Sequence, residues 1–406
     1  MDFFKKTGVL ALLLFVLILC RDADAGTPFI QAESAVLING RTGEVLWEKD
    51  AHRVLHPAST TKILTTVLLL ENALPDELAV TSARAAATPG SSLYLSEGQQ
   101  ISVLDMQYAI MLQSANDAAV VAAEHLAGSV DAFAVMMNQK ARQAGAINTN
   151  FTNPHGLTEP DHLTTAYDLA MIARYAMTNP RFRELAVTTR HTMPWPGAEK
   201  RTIYNKNPML SGYEGMTGIK AGYTVEARRT FVGAAQRDGM ELIAVVLGSE
   251  GTTVWDDTVA LLDLGFTGYS SLRPVEEGEI LGTVPIRFGG PILVRAAADF
   301  EFTRPIGDVD VSTEVSLQPG RSAPVSEGDV LGDIIIYADG EQVGAVELLA
   351  AESVSRAAVA TGRFWFFSGI FVLGGLRFRK VIRRRRKRRK IIRRKKDSRY
   401  LIRKSR

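Results

Sequence analysis

Six residues, Pro57-Ala58-Ser59-Thr60-Thr61-Lys62, stand directly before an apolar, helix-forming run at 63–70. Pro57 and Ser59 suit the approach to a helix start, so a helix is expected to begin near Ser59. Side chains three apart on a helix share a face, so the Ser59 hydroxyl and the Lys62 amine can meet. A serine hydroxyl is a poor nucleophile until a base takes its proton, and an amine serves if burial or a second cation lowers its pKa. A helix start at the serine also brings backbone N–H groups and positive dipole near developing negative charge. Taken alone, the pair is a weak signal and reads first as a helix cap beside a solvated lysine.

The pattern around this stretch outlines a fold. Strand-like runs Ala35-Val36-Leu37-Ile38 and Glu44-Val45-Leu46-Trp47 flank Asn39-Gly40-Arg41-Thr42-Gly43, a hairpin signal. Helical periodicity covers 104–125, broken near Ser114-Ala115-Asn116-Asp117, then 131–144, then 165–177 with Asp168 in its first turn. Strands return in 217–248, around a turn at Asp238-Gly239. Strands, then helices, then strands predict an α+β domain whose sheet is assembled from both ends, with helices packed on it. From about residue 271 to 352 short strands and frequent glycines predict a small all-β domain. It contains an internal echo, Val275-Glu276-Glu277-Gly278-Glu279-Ile280-Leu281-Gly282 against Val325-Ser326-Glu327-Gly328-Asp329-Val330-Leu331-Gly332, read as two related hairpins.

Both ends of the 406-residue chain read as membrane-related. Lys5 and Lys6 precede an apolar run and then Ala23-Asp24-Ala25, which predicts a secretory signal peptide over 1–25. The alternatives are an uncleaved anchor and a lipid on Cys20, the one cysteine, although Leu19 is large for lipid processing. Cleavage after Ala25 leaves 26–270 as the first domain and a mature chain without thiols. Residues 357–378 are mostly apolar, with Arg363 placed to snorkel, and are long enough to span a bilayer. Nineteen Lys or Arg against one acid lie between Arg377 and Arg406, a local +18 within a total of +3, so the rest of the chain carries −15. Such a tail, 379–406, fixes a cytoplasmic end and meets anionic lipid, placing the body outside the cell membrane; an in-plane amphipathic helix is the competing reading. Beside a membrane segment this charge points to lipid and not to nucleic acid.

Two further short motifs complete a set. Ser114-x-Asn116 offers a hydroxyl and an amide at the helical break, and Lys220-Ala221-Gly222 lies in a strand-like run at 216–224. There a cation can bind a carboxylate, and the glycine can let a substrate backbone approach. In order, S-x-x-K, S-x-N and K-x-G resemble the active site of the penicillin-recognising serine enzymes. Asn153-Pro154-His155-Gly156-Leu157, His162-Leu163-Thr164-Thr165-Ala166-Tyr167-Asp168 and Gly218-Ile219-Lys220-Ala221-Gly222-Tyr223-Thr224 sharpen this to a resemblance to the serine-type D-alanyl-D-alanine carboxypeptidases.

The resemblance, over about 29–266, implies a β-lactamase/transpeptidase-like fold, with a small β domain and C-terminal membrane helix. It implies Ser59 as nucleophile, Lys62 as its base, and Ser114 as proton relay. It further implies Asn116 and Lys220 as substrate-binding residues, and the backbone N–H groups of Ser59 and Tyr223 as the oxyanion hole. The substrate is a peptidoglycan stem peptide ending in D-Ala-D-Ala, and β-lactams are covalent inhibitors. No metal or other cofactor is expected; His155 and His162 read as structural. Ala221 departs from the family's usual Thr or Ser, which opens a reading as a weak or non-catalytic wall-binding protein. A β-lactamase is the other alternative, with Glu159 the only nearby candidate for a deacylating base.

Overall fold

The computed structural model describes residues 28–356. The expected signal peptide at 1–25, Cys20, the expected membrane segment at 357–378 and the basic tail at 379–406 lie outside the described residues. Among the described residues no single helix is long and apolar enough to cross a membrane.

The first domain is built on one antiparallel sheet. Its strands are β1 (Ser34–Asn39), β2 (Val45–Lys49), β3 (Met216–Thr224), β4 (Arg228–Arg237) and β5 (Met240–Ser249), in the order β2-β1-β5-β4-β3. The two ends of the domain meet where β1 pairs with β5, as the order of the runs predicts. Every residue of β1 and of β5 is buried. A strand buried on both faces needs apolar residues at successive positions, which explains the unbroken Ala35–Ile38 and Leu242–Leu247 runs.

Alternate residues feed two cores. Val36, Ile38, Val232, Ile243 and Val245 join the helical layer. That layer includes α1 (Lys62–Asn72), α2 (Val103–Tyr108), α3 (Asn116–Ala127), α4 (Val130–Gln143), α5 (Ala166–Met177) and α6 (Pro180–Val187). Leu37, Phe231, Leu242, Ala244 and Val246 face the other way and pack with Val254, Leu261 and Leu262 of α7 (Thr253–Gly268). The helix expected to begin near Ser59 opens in 3-10 form. Residues Ala58–Thr61 form a single 3-10 turn, and α1 starts at Lys62.

The second domain is all β, as expected. β6 (Tyr269–Val275) pairs with β9 (Phe300–Pro305). The remaining strands β7 (Ile280–Pro285), β8 (Pro291–Ala296), β10 (Val311–Leu317), β11 (Val330–Ala338) and β12 (Glu341–Ala350) form a sheet in the order β7-β8-β12-β11-β10. Its core holds Ile292, Val294, Phe302, Ile334, Ile336 and Leu348.

The echo is structural, but only its second copy lies between strands that pair with each other. Each copy forms the same turn: Glu279 N–H donates to Glu276 O (3.0 Å) in one, and Asp329 N–H to Ser326 O (3.1 Å) in the other. Gly278 and Gly328 take left-handed φ values of 77° and 86°. Each glycine N–H then bonds the end of a different strand, Ala296 O and Ala350 O. The first turn links β6 to β7, which do not pair with each other, whereas the second lies between β10 and β11, which do.

The β1–β2 loop makes the joint between the domains. Asn39 Oδ1 accepts from the N–H groups of Arg41 and Thr42, while its Nδ2 donates to Thr303 Oγ1 at 2.8 Å. Thr303 N–H donates to Glu44 (2.9 Å), and Arg41 pairs with Glu301 at 2.9 Å.

Candidate active site

The turn that carries Ser59 is held from several sides. Pro57 O accepts from Thr60 Oγ1 (2.7 Å) and from Thr230 Oγ1 of β4 (2.9 Å). Ala58 has φ of 49°, unusual for a residue with a Cβ, and its carbonyl accepts from Thr61 Oγ1 at 2.8 Å. His162 completes this chain. Its Nδ1 accepts from Thr152 N–H (3.0 Å), which leaves the proton on Nε2 to donate to Thr61 Oγ1 at 2.9 Å. Burial, with His56 and Lys62 nearby, pushes the His162 pKa down to about 3, in keeping with a neutral ring. His155 is also buried, and its Nδ1 accepts from Leu157 N–H. Burial and then the charge of Lys62 push its pKa down to about 2.

At the first position of α1, Lys62 points into the protein and is fully buried. Its Nζ lies 3.1 Å from Ser59 Oγ, 2.7 Å from Asn116 Oδ1 and 2.6 Å from His155 O. Burial holds its pKa well below the usual lysine value, and the charges of Lys220 and Lys206 push the same way; Asp117 opposes them. Asp117 itself is buried and satisfied, accepting from Ser92 Oγ and from the N–H groups of Leu93 and Leu95.

Ser114 and Asn116 owe their placement to a break in regular helix. Helix α2 widens into a π-turn, Ala109–Gln113, and Ser114 then adopts a left-handed φ of 61° before α3 begins at Asn116. Single π-turns inside helices often mark functional sites. Ser114 Oγ is buried without a hydrogen-bond partner among the described residues. Asn116 is committed at both ends of its amide, through Oδ1 to Lys62 and Nδ2 to Pro89 O at 2.6 Å. One Nδ2 hydrogen remains for another acceptor.

Strand β3 forms the opposite wall, at the sheet edge. Lys220 is buried, and burial first, then Lys206, lowers its pKa to about 7. Gly222 has a role beyond letting substrate approach: a Cβ there would lie 2.7 Å from Ser59 N and 2.6 Å from Thr230 Oγ1. The glycine lets the Ser59 turn and β3 come together. Tyr223, next along, has an exposed side chain.

Ser59, Lys62 and Asn116 are thus in direct contact, with Ser114 two residues from Asn116 and β3 against the Ser59 turn. Sequence reasoning missed Lys206, whose Nζ reaches Ser91 Oγ at 3.3 Å and whose charge acts on Lys62 and Lys220. Its neighbours Asn205 and Asn207 form a turn, which gave it the look of an ordinary loop lysine. Among the described residues no group of three His, Cys, Asp or Glu side chains comes together to hold a metal.

A serine hydroxyl thus lies beside a buried amine, between a helical layer and an edge strand. The chain belongs to the D-alanyl-D-alanine carboxypeptidase family, whose model matches residues 22–251; the model of the penicillin-binding protein 5 C-terminal domain matches residues 269–356. It is a serine peptidase of the low-molecular-mass penicillin-binding class. It is 31% identical to D-alanyl-D-alanine carboxypeptidase DacF of Bacillus subtilis, across 82% of this chain and 88% of the relative. It is 30% identical to DacC of Escherichia coli, across 84% and 88%. The crystal structure of penicillin binding protein 5 from Haemophilus influenzae superposes with a TM-score of 0.71 at 26% identity, across 81% of this chain and 99% of that one.

Proposed function

We propose that this chain is an exported, membrane-attached carboxypeptidase that removes the terminal D-alanine from peptidoglycan stem pentapeptides through an acyl-enzyme on Ser59. The environment of the Lys62 amine carries the reading. A neutral amine has two N–H donors and one lone pair. With Asn116 Oδ1 and His155 O taking the two donors, the lone pair is left for the Ser59 hydroxyl. Burial favours the neutral, basic form. When the amine takes the Ser59 proton, its third N–H turns towards Ser59 Oγ, and no other partner has to change.

The serine oxygen attacks the carbonyl between the two D-alanines. The oxyanion is held by the N–H groups of Ser59 and Tyr223, a pairing supported by the close approach of Gly222 to Ser59 N. Ser114 Oγ carries the proton from Lys62 to the leaving amine, and the free Nδ2–H of Asn116 holds a substrate amide. Lys220 draws in the terminal carboxylate. Water then attacks the acyl carbon, returning the Ser59 proton. A β-lactam enters by the same route and acylates Ser59. The signal peptide over 1–25 and the apolar 357–378 segment support export and attachment to the cell membrane, with the basic tail cytoplasmic and in contact with anionic lipid.

Ala221 favours a second reading, a wall-binding protein that reacts slowly, because the carboxylate loses a hydroxyl donor. One such hydrogen bond contributes about 1 kcal/mol, roughly fivefold, which weakens turnover without abolishing it. A β-lactamase is less well supported, since Glu159 is engaged by Asn153 Nδ2 at 3.0 Å. Intact mass of the protein after exposure to benzylpenicillin separates these readings, with Ser59→Ala as control. The expected result is a persistent adduct on the wild type alone. Rapid loss of the adduct with drug turnover indicates a β-lactamase, and no adduct on folded protein overturns the nucleophile assignment.

A further inference from the structure

The end of the second domain carries a cluster that the catalytic reading does not use. Phe288 is 45% exposed and held at a left-handed φ of 62°. The guanidinium carbons of Arg287 and Arg356 lie 4.7 Å and 5.3 Å from its ring centre. A third arginine is adjacent, because Arg287 N–H donates to Arg321 O and Arg287 O accepts from Ala323 N–H. Arg287 and Arg321 line one cleft with Val284, Ile286, Leu317 and Leu331. None of Arg287, Arg321 and Arg356 has an acidic partner in an ion pair among the described residues. The acid next to this tip in sequence, Glu352, is turned to Leu293 N–H at 3.0 Å.

The position of this cluster gives it meaning. A Cβ on Gly289 would touch Val354 at 2.7 Å, so the Phe288 loop rests on the last stretch before Arg356. The apolar run begins at the next residue, Ala357. Leu293, 39% exposed, lies beside the same exit, with its carbonyl accepting from Ala351 N–H. An exposed aromatic ring, a leucine and three arginines without acidic partners match the boundary layer of an anionic bilayer, where rings sit among headgroups and arginines meet phosphates.

We propose that this tip of the β domain, Phe288 with Arg287, Arg321 and Arg356, is a second membrane contact that seats the domain on an anionic phospholipid surface. The contact rests on the membrane attachment proposed above, but it is separate from the apolar segment. It sets the domain's angle to the bilayer and so the height and direction from which the active site meets its substrate.

The test uses the full chain with Cys20→Ala and Phe288→Cys, labelled with an environment-sensitive dye. It is mixed with vesicles of phosphatidylcholine alone or with phosphatidylglycerol. The dye and vesicle flotation are read separately. The expected result is a blue shift with phosphatidylglycerol only, lost when Arg287 and Arg356 are changed to Glu. Each arginine removed is expected to lower this local contact by about fivefold. No blue shift with phosphatidylglycerol vesicles, or one unchanged in the double Glu variant, overturns the proposal whatever flotation shows. Failure to float with either composition, read independently, counts against the apolar anchor instead.

Discussion

On the proposed mechanism, the charge states of two lysines decide when Ser59 can react. Lys62 must be neutral to take a proton, and Lys220 must be charged to hold a carboxylate. Lys62 is held well below its usual pKa, and Lys220 is lowered to about 7. The acid limb of kcat/KM is therefore assigned to Lys62 gaining a proton, and the alkaline limb near pH 7 to Lys220 losing one. Lys220→Arg keeps its charge, so its alkaline limb is expected to move upward; an unmoved limb removes Lys220 from that assignment. The same burial has a cost in stability. The unfolded chain keeps the Lys220 proton up to its ordinary value of 10.5, whereas the folded chain gives it up near 7, so this contribution to stability rises with pH between those values. Lys220→Met is expected to raise stability by roughly 1–2 kcal/mol at pH 7 while turnover collapses, as measured by denaturant titration and D-alanine release. The histidines give a second window. His155 and His162 have folded pKa values of about 2 and about 3 against 6.5 unfolded, so stability is full above 6.5 and is lost as pH falls below it. The slope should approach about 1.4 kcal/mol per pH unit for each ring, and His155→Gln is expected to flatten it. Of these groups, spacing made Ser59 and Lys62 legible together. Lys206 was not legible, because its effect is a field acting from a distant loop and no local pattern records it.

Elements were legible where their periodicity was strong and hidden where a site bends them. The β1–β2 hairpin, the Asp238-Gly239 turn and helices α4 and α5 follow from alternation, turn residues and caps, such as Thr165 Oγ1 accepting from Asp168 N–H. The 3-10 turn at Ala58–Thr61 and the π-turn at Ala109–Gln113 carry no such signature. The first is held by tertiary and local contacts, the Thr60, Thr61 and Thr230 hydroxyls on the carbonyls of Pro57 and Ala58. Gly222 is the sharpest case: the chain shows a glycine in a strand, but only the fold shows that Ser59 N occupies the space of its side chain. Gly222→Ala must push β3 away from the Ser59 turn. The expected cost is about 1–3 kcal/mol in stability, with a much larger loss in acylation by benzylpenicillin, because the two proposed oxyanion donors separate. Acylation equal to wild type would show that these donors do not act as a pair.

At the scale of the whole molecule, the two domains were legible as a change of texture, but the joint between them was not. Asn39 looks like an ordinary hairpin residue in the sequence, and Thr303 like one residue of a strand. Together they form a buried hydrogen bond between parts of the chain 264 residues apart. Asn39 Oδ1 also organises the loop that presents Arg41, which pairs with Glu301 and Asp299. Arg273 joins the same two acids from β6. The arginines and Asp299 are open to water, which screens these ion pairs even though Glu301 is buried, so each contributes little singly. The buried bond matters more, because an unpaired amide N–H costs about 1–3 kcal/mol. Thr303→Val keeps the shape of the side chain and removes the acceptor, leaving Asn39 Nδ2 without its partner. That loss falls on the joint, since the cores of the two domains share no residues. Calorimetry is expected to resolve one cooperative transition of the wild type into two in Thr303→Val, with penicillin acylation retained because the Ser59 turn is untouched. A single transition that merely moves to lower temperature would mean that the domains are coupled through the wider surface and not through this bond.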